Sequence, residues 1–275
     1  MIKIAAAVEY CGLHYAGWQK QKHAGSIQER VERALSKVAN HPVEVICAGR
    51  TDAGVHALHQ VIHFVTEAER QPHAWVLGGN VNMPKDISIL WAKPMPEDFH
   101  ARYSAVERTY QYIILNRSSR PAVLNGLITW ERRPLDVERM SLAAKHLVGK
   151  HDFTSYRTVA CQAKNPVREV RKLCVTREND SVILEISANA FLHHMVRNIA
   201  GVLMAIGRGD QPIDWAERVL VARDREKGGV TAPADGLYLS SVEYPREYDL
   251  PASRGCFGFL PGGSMPSGDN YGNNF

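Results

Sequence analysis

The sequence predicts an α+β protein built as two lobes that meet near residue 105, and three observations carry that reading. β-rich runs and capped amphipathic segments alternate along the chain without the even spacing of a doubly wound βαβ sheet. The second half repeats the alternation of the first. A length of 275 residues, at about 150 per domain, allows one core or two. The expected divisions are residues 1–105, residues 106–245 and a tail over 246–275.

Residues 2–10 read as a strand, and Gly12, Gly17 and Gly25 punctuate the polar, aromatic-bearing loop behind it. A helix opens at Ser26, where Ser26-Ile27-Gln28-Glu29 fits a capping box. Ile27, Val31, Ala34, Leu35 and Val38 then form one stripe of a 3.6-residue period. Val43–Cys47 and Gln60–Val65 read as strands on either side of a glycine-bounded loop. Ile87–Ala92 is a further strand, broken off by Pro94 and Pro96, and Thr109–Leu115 is another. In the second half Asp136 caps a helix whose Met140, Ala143, Ala144 and Leu147 share a face, with Gly149 closing it. Strands follow at Val170–Arg177 and Val182–Ser187, then an apolar helix from about His193 to Ile206, ending at Gly207. Asp214 with Glu217 marks another capped helix, and Gly236–Val242 a last strand. From Arg246 onward six Gly and three Pro, with little periodic apolar content, mark a tail expected to be flexible.

Composition excludes several classes. The chain is 45% apolar and 23% charged, as a packed globular protein is, and its net charge of +4 is only mildly basic. Five cysteines without a C-x-x-C pair argue against a disulfide framework and a zinc knuckle. The opening apolar run is cut by Glu9 and is too short for a secretion signal. No stretch approaches the roughly 20 apolar residues of a membrane span. A reduced, cytoplasmic compartment is the expectation.

Positive charge is concentrated locally. Residues 101–133 hold six arginines against Glu107 and Glu131, and residues 157–177 hold six cations against Glu169 alone. Tyr103, Tyr110, Tyr112, Trp130 and Tyr156 sit among or beside them. Arginines that meet phosphates, with rings that stack on unpaired bases, suit an RNA groove, although a solvated basic face has the same composition.

The most informative segment is Cys47-Ala48-Gly49-Arg50-Thr51-Asp52-Ala53-Gly54-Val55-His56-Ala57. It offers an exposed carboxylate, Asp52, on a glycine-bounded loop at strand ends, with Arg50 two residues away as a counter-charge. The local alternative is an Asx-turn at Asp52 and an ST-turn at Thr51. His56, His59 and His63 follow, and His193-His194 lie far along the chain. Alternation along a strand turns His56 away from the other two, and neither an H-E-x-x-H nor a paired Cys/His zinc pattern is present. Phosphate-loop, dinucleotide and serine-hydrolase motifs are absent as well.

Gly49–Ala57 resembles the signature loop of the TruA family of tRNA pseudouridine synthases. Three further segments agree, in the family's order: Tyr15-Ala16-Gly17-Trp18-Gln19-Lys20-Gln21, Arg108-Thr109-Tyr110-Gln111-Tyr112, and Phe191-Leu192-His193-His194-Met195-Val196-Arg197-Asn198. Cys11, where the family often has an acid, and the Gly/Pro-rich tail depart from its pattern.

The resemblance implies a pseudouridine-synthase fold. Two similar lobes would share a mixed, largely antiparallel sheet, with flanking helices and a basic central cleft. It implies isomerisation of uridine to pseudouridine at positions 38, 39 and 40 of the tRNA anticodon stem-loop, by a homodimer, without cofactor or metal. Asp52 would be the essential catalyst, attacking C1′, attacking C6 or taking a proton from C1′. Arg197 would hold that carboxylate charged in a dry pocket. Tyr110 would stack on the target base, and Arg50 would contact RNA backbone or fill the space the base leaves. Each has a plainer alternative: Arg197 at a helix surface, Tyr110 as half-buried packing, Arg50 neutralising Asp52. A non-catalytic tRNA-binding protein on the same scaffold and a histidine-based metalloenzyme are the competing functions.

Overall fold

The computed structural model describes residues 1–21, 23–159 and 161–253. Ten strands form one mixed sheet: β1 Ile2–Tyr10, β2 Ile46–Cys47, β3 His56–Thr66, β4 Ile87–Met95, β5 Glu107–Asn116, β6 Thr129–Glu131, β7 Gly149–Asp152, β8 Val167–Glu178, β9 Ser181–Ala188 and β10 Leu237–Glu243. Their order is β4-β1-β3-β10-β5-β9-β8-β7, with β2 added to β3 and β6 to β5. All pairings are antiparallel except β10 with β3 and β6 with β5. The expected α+β class, with a largely antiparallel mixed sheet, is what forms.

Five α-helices flank it among the described residues: α1 Ile27–Ala39, α2 Pro72–Asn82, α3 Val137–Lys145, α4 Met195–Gly207 and α5 Trp215–Ala222. Helix α1 packs on α2 and α2 on β4, whereas α3 packs on α4 and β8, and α4 on β5. The last strand, β10, sits between β3 of the first half and β5 of the second, so the sheet continues across residue 105. Its parallel contact with β3 is short, Tyr238 opposite His56 and Leu239 opposite Ala57. Among the described residues no helix is long and apolar enough to cross a membrane.

Side-chain caps form at two of the three expected helix starts, at α1 as the Ser26 half of the expected box. Ser26 Oγ accepts from Glu29 N at α1, and Asp136 Oδ1 accepts from Arg139 N at α3. Asp214 precedes α5 in helical conformation instead, with no side-chain cap bond, and its carboxylate pairs with Arg218 one turn on. Gly149 does not close α3. That helix stops at Lys145 with His146 as cap, and Gly149 opens β7 at φ +111°.

Several boundaries move for physical reasons. Strand β4 runs through Pro94 because it is an edge strand, where a missing N–H leaves no ladder bond unmade. Strand β2 is only Ile46–Cys47, and β3 begins four residues earlier than expected, at His56. Helix α4 starts at Met195, because His194 at φ +63° leaves the helical conformation. Helix α2 and strands β6 and β7 were not expected. Gly78 and Gly79 interrupt the apolar pattern of α2, yet they let it pack: a Cβ on Gly79 would lie 2.5 Å from Ile89 Cδ1.

Of the tail expected from Arg246, residues 254–275 lie outside the described residues. Arg246–Tyr248 is a 3₁₀ turn, with the Tyr248 ring edge-on to Phe99.

Candidate active site

The loop between β2 and β3 is fixed from several sides. Gln60 clamps Gly49, its amide nitrogen donating to Gly49 O and its carbonyl accepting from Gly49 N. Thr51 Oγ1 lies 2.8 Å from the buried Tyr10 hydroxyl rather than closing an ST-turn. Trp18 N donates to Thr51 O and Gly54 N to Tyr15 O, so the Tyr15–Gln21 motif braces this loop. Gly17, at φ +96°, is required there: a Cβ would fall 2.6 Å from Thr51 O.

Thus held, Asp52 directs its carboxylate away from its own loop and across the sheet to the start of α4. Oδ1 is 3.1 Å from His193 Nε2, and Oδ2 is 3.4 Å from both His194 Nε2 and Arg197 Nη1. The Asp52 side chain is 21% exposed, a recessed position still open to a ligand. The α4 N-terminus adds the positive end of a 13-residue helix to the same spot.

The opposing wall is built from backbone. His193 O accepts from Thr158 N, and the left-handed turn at His194 brings two consecutive imidazoles to one carboxylate. That conformation costs about 1 kcal/mol for a side-chain-bearing residue. Burial, with Arg197 and His193 adding to it, lowers the His194 pKa from the usual imidazole value against the opposite pull of Asp52. Arg197 Nε donates to Ala232 O at 2.8 Å, and Ala232 N returns a bond to Arg197 O. Packing here is tight, since a Cβ on Gly201 would meet Val230 O at 1.9 Å. The segment 230–236 is therefore the brace for Arg197, and sequence reading passed it over.

Of the four expected site residues, the structure brings Asp52 and Arg197 together and sets Tyr110 nearby. Tyr110 is buried, edge-on to Phe191 at 5.0 Å, and its hydroxyl lies 3.9 Å from where a Cβ of Gly49 would be. Burial and the negative charge of Asp52 both raise its pKa. Arg50 is exposed and makes no ion pair with Asp52 among the described contacts, so the counter-charge comes from Arg197 on α4 rather than from the loop itself. Arg50 and Arg102 instead act on Cys47 beneath them, whose thiol burial pushes up to about 12. His193 and His194, weighed from sequence only as metal ligands, were missed as partners of Asp52.

The basic windows divide on inspection. Arg108 is buried and its guanidinium donates to the carbonyls of Ala48, Arg102, Ala105 and Asn189. Arg133, Arg171 and Lys172 pair with Asp210, Glu107 and Glu185. Nor do His56, His59 and His63 gather: Nδ1 of His56 accepts from Gly12 N, Nε2 of His59 from the Trp91 indole, and Nδ1 of His63 from Ala101 N. A hollow of about 340 Å³ lined by Tyr10, Cys11, Asp86 and Tyr238 includes none of the groups around Asp52.

A mixed sheet thus presents one carboxylate on a strand-to-strand loop, met by a guanidinium from a helix start. The tRNA pseudouridine synthase family model matches residues 6–104 and 143–245, and the chain belongs to that family. Asp52, Arg50 and Arg197 fall within the matched segments and Tyr110 between them. The chain is 59% identical over 250 residues to the tRNA pseudouridine synthase A of Nitrosococcus oceani, spanning 91% of this chain and 96% of the relative. It is 58% identical over 251 residues to that of Pseudomonas aeruginosa, spanning 90% and 88%. To that of Coxiella burnetii it is 55% identical over 251 residues, spanning 91% and 96%.

Proposed function

We propose that this chain isomerises uridine to pseudouridine in tRNA, at positions 38, 39 and 40 of the anticodon stem-loop, with Asp52 as the essential catalyst. The observation that carries the reading is the Asp52 carboxylate, held on a braced loop and met at 3.4 Å by Arg197 from the other half of the chain. In the reaction the N1–C1′ bond breaks, the ring turns over, and a C5–C1′ bond forms. C5 loses a proton and N1 gains one, so the change balances without oxidant, reductant or external group. Asp52 serves by attack at C1′, attack at C6 or removal of the C1′ proton, and Arg197 supplies its counter-charge in each case.

Tyr110, buried beside the loop, lies against the uracil ring. Arg50 and Arg102, both exposed, line a basic cleft and meet phosphates there, which offsets the few kcal/mol needed to take a paired uridine out of its helix. By resemblance to the family, the enzyme acts in the cytoplasm as a homodimer that shares one tRNA between its subunits.

Asp52→Asn tests the assignment. Carbodiimide mapping of transcripts that bear U at 38, 39 or 40 singly should show pseudouridine formation reduced about 1,000-fold or more, with tRNA binding retained. Turnover by that variant overturns the role of Asp52. Wild-type protein that binds tRNA and forms no product favours the non-catalytic scaffold.

A further inference from the structure

We propose that Asp52, His193 and His194 form a binding site for one first-row transition-metal ion, Zn²⁺ being the best match, and that its occupation blocks the carboxylate. One carboxylate oxygen and two imidazole nitrogens lie within 4.8 Å of one another. That donor set suits zinc, copper and nickel and is a poor one for magnesium or calcium.

The spacing fits as well. Zinc bonds of about 2.0–2.2 Å at tetrahedral angles separate neighbouring donors by roughly 3.3–3.5 Å. His193 Nε2 is already 3.1 Å from Oδ1, and His194 Nε2 lies 3.4 Å from the other oxygen, Oδ2. With one oxygen as the ligand, the separations still to close start from at most 4.8 Å and can do so by rotation of side chains rather than of backbone. The backbones under all three are held, by the Gln60 and Trp18 bonds to the loop, by the Thr158 bond to His193 and by the Asn198 N–H donated to His194 O. The side chains of Asp52, His193 and His194 are 21%, 46% and 27% exposed, so an ion has entry and room for a water in its fourth position.

Arg197 opposes the ion. Its guanidinium is fixed by Ala232 O at 3.4 Å from Oδ2, and a dication must share the carboxylate with it. The same cation that serves the carboxylate therefore limits metal affinity at this spot. That makes the site an adventitious inhibitor's seat, distinct from the metal-free isomerisation proposed above. The binding claim stands whether or not that activity is correct, and only the inhibition arm rests on it.

Calorimetric titration of the full chain with Zn²⁺, paired with visible absorption of the Co²⁺-loaded protein, tests the site. Wild type should bind one equivalent and give the intense bands of tetrahedral Co²⁺. Asp52→Asn and the double variant His193→Ala/His194→Ala, checked as folded by circular dichroism, should each weaken binding about tenfold or more and lose those bands. Arg197→Ala should tighten binding by about tenfold. In the activity arm Zn²⁺ should inhibit tRNA pseudouridine formation and EDTA restore it. Absence of Zn²⁺ binding, or one equivalent bound equally by wild type and the Asp52 and histidine variants, overturns the proposal. So does tetrahedral Co²⁺ absorption that survives the loss of both histidines.

Discussion

Histidine and arginine are each used in two regions of this chain, and to opposite ends. On strands β3 and β5, His56, His59, His63 and Arg108 are at most 8% exposed and bond to backbone groups or to an indole. At the start of α4, His193, His194 and Arg197 are 16–46% exposed and converge on one carboxylate. Residue type does not distinguish the two sets. What does is the partner: a peptide group ties a side chain to the fold, whereas a recessed carboxylate open on one side leaves it available to chemistry.

Arg108 gives the largest expected break in this contrast. Its fork joins the first residue of the Asp52 loop, Ala48, to the segment entering β5 and to the end of β9. Hydrogen bonds from a charged donor contribute about 1.5–3 kcal/mol each, partly offset here by the desolvation that lowers the Arg108 pKa. Arg108→Ala should cost about 4 kcal/mol in urea unfolding, or roughly 10 °C in thermal midpoint. Arg108→Lys should recover little, because an ammonium cannot reach four carbonyls in one plane. A loss under about 1 kcal/mol would place Arg108 with the solvated cations.

Acid sharpens the contrast next. Burial lowers both His59 and His63 to about 4, with Lys3 and His100 adding to the effect at His63. The unfolded chain takes up these protons near the ordinary value of 6.5, so it binds more protons than the folded chain below that pH. Stability is therefore full above about pH 6.5 and falls as the pH drops towards 4. Each residue should remove roughly 2 kcal/mol by pH 5, at 1.36 kcal/mol per unit. His59→Gln keeps an acceptor for the Trp91 indole but does not titrate, and should take about that amount out of the acid slope. An unchanged slope would mean that His59 is hydrated.

The contrast also explains what sequence reasoning could reach. Helix α1 was legible because its cap and its stripe are local, and Asp52 because its loop carries glycines at fixed offsets. Helix α2 was not, since its glycines are explained only by Val38 and Ile89, which belong to other elements. Arg50 looked like the counter-charge through adjacency alone. His193 and His194 looked like the first turn of a helix, in which neighbours diverge by about 100°. The left-handed backbone at His194 is what joins them at Asp52, and no residue type requires it there. The 230–236 brace works through main-chain carbonyls at Val230 and Ala232, which leave no side-chain pattern to read.

The smallest expected effect is the sharpest test of the contrast. His193→Gln and His194→Gln each remove an imidazole whose contact with Asp52 is partly solvated, and exposed polar contacts of that kind contribute about 0–1 kcal/mol. Glutamine retains an N–H for the carboxylate and fills most of the same volume. Urea unfolding at pH 7 should therefore move by less than about 0.5 kcal/mol for either variant, well below the loss expected for Arg108→Ala. His194 carries the greater risk, since its left-handed backbone suits histidine better than glutamine. A loss confined to His194→Gln would reflect that strain. A loss of 2 kcal/mol or more at His193, whose backbone is unstrained, would mean that the start of α4 belongs to the folding core and that the two regions are one.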